Sequence, residues 1–320
     1  GHSALLEAYL NTVVDVEKHW FTALASSRVQ DGVVIYVPPG VQVEKPLRTV
    51  FWAPGAGKAF FSRVLVIVDE GASLELEQEY ASPTEPERSA FHAGVVEVIV
   101  KQGAHLVWSS VQNWGEHVWD VSHKRVRIGR DAHVQWNSAV FGGQTSKVFS
   151  DMDLAGEGAE GEWAGVFFGQ GRQHFDIDTQ QNHLSPRTTS DLLFKGALTA
   201  RSRSVWQGMI YVEKDAQQTD GYQANRNLIL SEDARADSIP GLEIKADDVR
   251  CTHGATAGQV DEDQVYYLMS RGIPRPEAEQ LVVEGFFSPV LDRISNQALR
   301  YRLNHIIDDK MGQYRAEIQN

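Results

Sequence analysis

The sequence predicts a mainly β chain wound as a solenoid and flanked by α-helices. Three observations carry this: long tracts of alternating apolar and polar residues, a short motif returning at a near-constant interval, and two ends with helical apolar spacing. The motif is a small turn residue, an alanine and then an alternating run, as in "GASLELE", "GAHLVWS", "DAHVQWN" and "GAEGEWA". Its alanines stand at positions 72, 104, 132 and 159, giving steps of 32, 28 and 27 residues. Looser copies follow at "DAQQTDG" (215–221) and "DARADSI" (233–239). A strand-turn-strand unit repeating on this scale covers its hydrophobic face with the next unit. A β-sandwich with regular turns is the alternative, since the drifting step requires loop insertions in a solenoid.

The elements follow in chain order. "ALLEAYLNTVVDVEKHWFTALASS" places Leu5, Tyr9, Val13, Val16 and Trp20 at helical spacing, so residues 1–30 read as an N-terminal helical segment. The opening "GHS", without an initiator Met, looks like an expression remnant, and the natural chain is expected to extend further. From "VVIYVPPGVQVEKPL" onward, runs such as "RVLVIVDEGASLELEQEY" and "SVWQGMIYVEKDAQQTDG" alternate with Gly and Asp punctuation, which reads as strands and tight turns over 31–258. Trp108, Trp114, Trp119, Trp136, Trp163 and Trp206 are expected to pack the coils or cover their ends. A helical C-terminal domain, 259–320, comes next. "DEDQVYYLMSRG" offers Asp261 as N-cap with Gln264 three residues on, and closes at Gly272. "PEAEQLVVEGFF" opens with Pro276 near a first helical position. "NQALRYRLNHIIDD" sets Leu299, Leu303, Ile306 and Ile307 on one stripe, either core or a docking face.

Composition narrows the function. At 320 residues with a net charge of −13, from 43 acidic against 30 basic residues, the chain lacks the basic clusters of a nucleic-acid surface. No apolar run reaches the roughly 18–20 residues a membrane span needs. A single cysteine excludes an internal disulfide and fits a reducing cytosol.

That cysteine lies in "VRCTHGATAG" (249–258), two residues before a histidine. On an extended strand Cys251 and His253 share one face, roughly 6.5–7 Å apart. Thiolate and imidazole are competent ligands for iron, zinc or a cluster, yet two ligands leave such a site incomplete. A buried structural cysteine is the plainer reading. A Cys/His nucleophile lacks an orienting third group. Asp247 and Asp248, as neighbours on a strand, would diverge and not converge on one glycosidic bond, which disfavours a carbohydrate-active enzyme. "APGAGKA" (53–59) lacks the first Gly and the Ser/Thr of a P-loop, and "GQGRQH" lacks the third Gly of a dinucleotide fingerprint, so any ATP chemistry belongs to a partner. His174 and His183 read as satisfied structural histidines.

The stretch "KDAQQTDGYQANRNLILSEDARADSIPGLEIKADDVRCTHGATAGQVDEDQVYYLMSRGI", within a match spanning 170–295, resembles the SufB/SufD family of iron–sulfur cluster assembly scaffold proteins, as does "IYVPPGVQVEKPL" (35–47). The resemblance implies a right-handed parallel β-helix and no catalysis. It also implies a cytoplasmic (or plastid stromal) complex of one SufB, one SufD and two copies of the ABC-type ATPase SufC. Ala234 stands where SufB-like chains carry a cysteine, and Gly254 where they carry a glutamate, so the likeness is to SufD. Carried over, His253 becomes the leading ligand and Cys251 the second, both shared with SufB around a transient cluster that this chain alone would not hold. The helical end would dock SufC through Asp261, Gln264, Tyr266, Tyr267, Met269, Arg271, Glu279 and Phe286. Without SufB, a homodimer is also open to the chain, because the β-helix end that would meet SufB could meet a second copy. The chain is also shorter than the resemblance leads one to expect, with an abbreviated N-terminal region.

Overall fold

A computed structural model describes residues 3–53, 55–85 and 88–318, so Gly1 and His2 of the opening stretch lie outside the described residues. The chain is a parallel β-solenoid of two eight-stranded sheets. One sheet holds β1 (Asp31–Val37), β3 (Ala59–Val68), β5 (Ala90–Val100), β7 (Val118–Ile128), β9 (Thr145–Leu154), β11 (His174–His183), β13 (Arg203–Val212) and β15 (Arg235–Ile244). The other holds β2 (Leu47–Trp52), β4 (Ser73–Ala81), β6 (His105–Asn113), β8 (His133–Val140), β10 (Glu160–Gly169), β12 (Thr189–Leu198), β14 (Thr219–Ile229) and β16 (Val249–Gln259). Consecutive strands therefore alternate between sheets, and each pairs with the strand one coil away.

The repeat in the sequence is this coil. Ala72, Ala104, Ala132 and Ala159 each sit just before an even-numbered strand, buried at a corner. Register follows from them: Ser73 faces His105, His105 faces His133, and His133 faces Glu160. In-register repetition stacks like on like. Trp108, Trp136 and Trp163 form a ladder in the lumen, with ring centroids 4.3 Å and then 4.1 Å apart, each ring well within stacking range. Val64, Val66 and Val68 of β3 and Val96, Val98 and Val100 of β5 close the same core from the facing sheet. Trp119 departs from the expectation for the tryptophans: it points outward, half-exposed, and its indole N–H donates to Gln144 at 2.9 Å. The strand register places it on the outer face, where coil packing cannot use it.

The N-terminal segment is two helices instead of one, α1 (Ser3–Tyr9) and α2 (Trp20–Ser27). The break is a tertiary effect. The carboxylate of Glu97, wholly buried on β5, accepts the backbone N–H groups of Asn11, Val13 and Val14 at 2.9–3.0 Å and pairs with Arg63 at 2.6 Å. Asn11 adopts φ +64° to make that turn. A buried carboxylate needs these donors more than the segment needs three more helical turns.

Three helices follow the solenoid: α3 (Glu262–Ser270), α4 (Arg275–Leu291) and α5 (Gln297–Ile318). The stripe of α5 is core. Leu299, Leu303 and Ile307 are buried, with Ile306 at the margin, against the outer face of the second sheet at Val111, Ala139, Ala164 and Phe168. Asp261 caps α3, but its carboxylate accepts from the N–H of Asp263 at 3.0 Å, and Gln264 turns into a groove. Pro276 occupies the first turn of α4, and Gly272, at φ +87°, ends the α3 region as expected. Among the described residues no helix is long and apolar enough to cross a membrane.

Candidate functional site

The solenoid ends in two strands that each have one partner: β15 pairs with β13, and β16 with β14. Their outer edges carry unpaired backbone groups, the feature by which one sheet recruits another. Cys251 and His253 lie on β16, at this edge. Register sets Cys251 opposite Gly221 and His253 opposite Gln223. Gly221 and Gln223 are buried, so they face the lumen, and their partners on the last strand face the same way but without a further coil to cover them.

The two side chains differ in setting. The Cys251 sulfur is half-buried in an apolar nest with Ile210, Val212, Ala216 and Ala246. Desolvation in that nest pushes its thiol above the usual range, partly offset by the backbone N–H of Gly221. It is therefore a protonated thiol at neutral pH until a metal displaces the proton. Gly221 makes the space: a Cβ there would stand 3.3 Å from both the Cys251 sulfur and the His183 Nε2. His253 is exposed at the rim. Among the described residues no group of three or more His, Cys, Asp and Glu is arranged to hold a metal ion, so this pair would need ligands from outside the chain. Just inside the rim the lumen turns polar. Gln223 Oε1, Asn225 Nδ2 and Asn227 Oδ1 are buried without hydrogen-bond partners, an unusual concentration for a closed interior.

His183 is structural. It is buried, with one ring nitrogen on the Thr188 hydroxyl and the other on that of Ser190, each at 2.8 Å. Burial pushes its pKa down from 6.5 to about 4. The folded state thus refuses a proton that the unfolded chain accepts below pH 6.5. Its contribution is intact above that value and is lost as pH falls toward 4, by up to about 1.4 kcal/mol per unit. Denaturant melts of His183→Asn and the parent from pH 7 to roughly pH 4.5 are expected to converge as pH drops; parallel curves would refute the assignment. His174 is half-exposed on the outer start of β11. Asp247 and Asp248 lie in the turn before β16 instead of on the strand, and the Asp248 carbonyl accepts the N–H of Gln218.

One constellation escaped the sequence reading. Ser62 Oγ lies 2.8 Å from His92 Nε2, and His92 Nδ1 lies 2.5 Å from Asp120 Oδ1, the connectivity of a hydrolase triad. These residues are one coil apart each time, at separations of 30 and 28, so the repeat itself carried the signal. Burial decides against catalysis: they are 1%, 2% and 3% exposed. A methyl group added at the adjacent Gly94 would already stand 2.7 Å from His92 Cε1 and 2.9 Å from Ser62 Oγ. No acyl group fits beside such a serine, and the trio is a satisfied polar stack in the core.

Of the helical residues singled out, Asp261, Gln264, Tyr267 and Phe286 line one groove of about 880 Å³ between α3, α4 and the end of β14. Tyr266 (73% exposed) and Met269 stand outside it on the surface of α3. Arg271 lies over the Tyr267 ring, and Glu279 is bonded to Arg275 at 2.7 Å, away from the groove.

Comparison with known proteins adds to this geometry. Residues 51–286 match the family described as "SUF system FeS cluster assembly, SufBD core domain", and residues 1–49 match "SufBD protein N-terminal region". The chain is 33% identical over 312 residues to the iron–sulfur cluster assembly protein SufD of Bacillus subtilis, covering 97% of this chain and 71% of that protein. An iron–sulfur cluster assembly SufBD family protein of Staphylococcus saprophyticus is 30% identical over 285 residues, 89% of this chain and 61% of the relative. One from Mycobacterium leprae is 31% identical over 288 residues, 90% of this chain and 33% of the relative. The chain thus spans less than two thirds of several of the relatives it matches.

Proposed function

The chain belongs to the SufBD family of iron–sulfur cluster assembly proteins, and from that premise we propose that it is a SufD-type, non-catalytic scaffold subunit acting in the cytoplasm. Residues 31–258 serve as the scaffold, 259–320 as the docking region, and 1–30 as a clasp on the first coils. The observation that carries this reading is the open end of the solenoid, where the unpaired β15 and β16 edges frame Cys251 and His253. A SufB-type subunit continuing both sheets would cover the lumen and bring the ligands this chain lacks. The cluster is then cargo, held between two chains and labile because neither holds it alone. His253, exposed at the rim, is the first ligand offered, and Cys251 the second. ATP hydrolysis falls to a SufC-type subunit docked on α3 and α4.

A SufB-type acceptor is the weaker reading. Ala234, where such a chain would carry its thiol, is partly buried against the solenoid core and offers no sulfur.

The test is native mass spectrometry of the chain alone and mixed with SufB- and SufC-type subunits from the same source. A species with one SufB-type chain, one copy of this chain and two ATPase subunits is expected. Alone, the chain should form a homodimer through the same end. A chain that ignores both partners would overturn the proposal.

A further inference from the structure

The groove beside α3 says what kind of surface the docked ATPase must present, and this inference rests on the docking reading above. We propose that the groove receives an amphipathic helix of the ATPase subunit, inserted by an aliphatic or aromatic stripe and flanked by lysine or arginine on the side that meets the start of α3.

Two features argue for an apolar insert. α3 buries only Val265 and leaves Tyr266, Tyr267 and Met269 exposed, so it gains little from packing against its own chain. α4 carries two apolar sets: Val283, Phe287, Val290 and Leu291 are buried against the outer face of the solenoid, while Leu281, Val282 and Phe286 line the groove. A helix apolar on both faces is built to be covered on both. The shape suits a helix laid between two helices, the usual helix-in-groove arrangement.

Charge sets the flank. Among the described residues, Asp261 and Asp263 are the only charged ones lining the groove, and neither is in an ion pair. Glu262 between them is neutralised by Arg275 at 2.7 Å. Carboxylates at a helix N-terminus stabilise that helix, which alone would explain them. They also leave one wall of an apolar groove negative, and a basic flank on the insert is its complement.

The test is calorimetric titration of the full chain with the purified SufC-type ATPase from the same organism, at roughly 50 and 250 mM salt. Leu281→Asp is expected to weaken binding by about 30-fold or more. Asp263→Lys is expected to weaken it by about five-fold at low salt and to flatten the salt dependence, whereas a merely helix-stabilising Asp263 would leave the salt slope unchanged. Glu44→Lys, exposed at the other end of the solenoid, should match the parent. Melting temperatures check the fold, and Leu281→Ser carries the same reading should Leu281→Asp melt early. Parental binding in both groove variants overturns this inference and leaves the docking proposal standing. Failure of the parent itself to bind overturns the docking proposal and this inference with it. Self-association lost in Leu281→Asp would assign the groove to a second copy of this chain and overturn the inference too.

Discussion

Trp136→Ala is expected to lower stability by about 3–5 kcal/mol, at the upper end of that range. The ring is fully buried and stacks on both faces, against Trp108 at 4.3 Å and Trp163 at 4.1 Å. Removing it opens a cavity in the centre of a ladder and deletes two aromatic contacts at once. One effect works the other way: the Trp136 indole N–H is buried without an acceptor, so its removal recovers a small desolvation cost. In a solenoid each coil is held by its neighbours, so the damage should reach β6 and β10 and spread little beyond them. Thermal melts should show a drop of roughly 10 °C, with new hydrogen exchange concentrated in β6, β8 and β10. A loss below about 1.5 kcal/mol would mean that Trp108 and Trp163 close the gap, as volume-tolerant cores do.

The same ladder explains what could be read in advance. Spacing of Ala72, Ala104, Ala132 and Ala159 was enough to find the coil because a buried corner tolerates only a small residue, and that constraint is local. The helix starts marked by the Asp261 cap and by Pro276 in the first turn of α4 were legible for the same reason. The break after α1 was not. It depends on Glu97, 86 residues further along the chain, reaching the N–H of Asn11. Trp119 was misassigned because composition says a tryptophan is worth burying, while only register says which face it is on. The Ser62, His92 and Asp120 stack needed both the coil period and the knowledge that Gly94 leaves no room. For the open end, the sequence offered Cys251 and His253 as residues on one face. It could not tell that one is sunk in an apolar nest and the other stands free, because that depends on where the coils stop.

That difference sets the expected order of effects at the open end. Within an assembly containing SufB- and SufC-type subunits, His253→Ala is expected to cut iron and acid-labile sulfide per complex to about a tenth or less. Removing even an outer-shell partner of a metal ligand costs 10–100-fold, and a direct ligand should cost no less. Cys251→Ala should cost less at neutral pH, because the sulfur must first give up a proton that desolvation in its apolar surroundings holds more tightly than an ordinary thiol holds its own. The sign of the pH effect follows. Loading that uses the Cys251 thiolate rises with pH, so the parent should gain cluster between pH 7 and pH 9 and Cys251→Ala should lose that gain. Equal pH profiles would make Cys251 a packing residue, its thiol serving Ile210 and Val212 instead of the metal. Unchanged cluster content in His253→Ala, in complexes of unaltered mass, would remove the open rim from the site and leave the partner to supply every ligand.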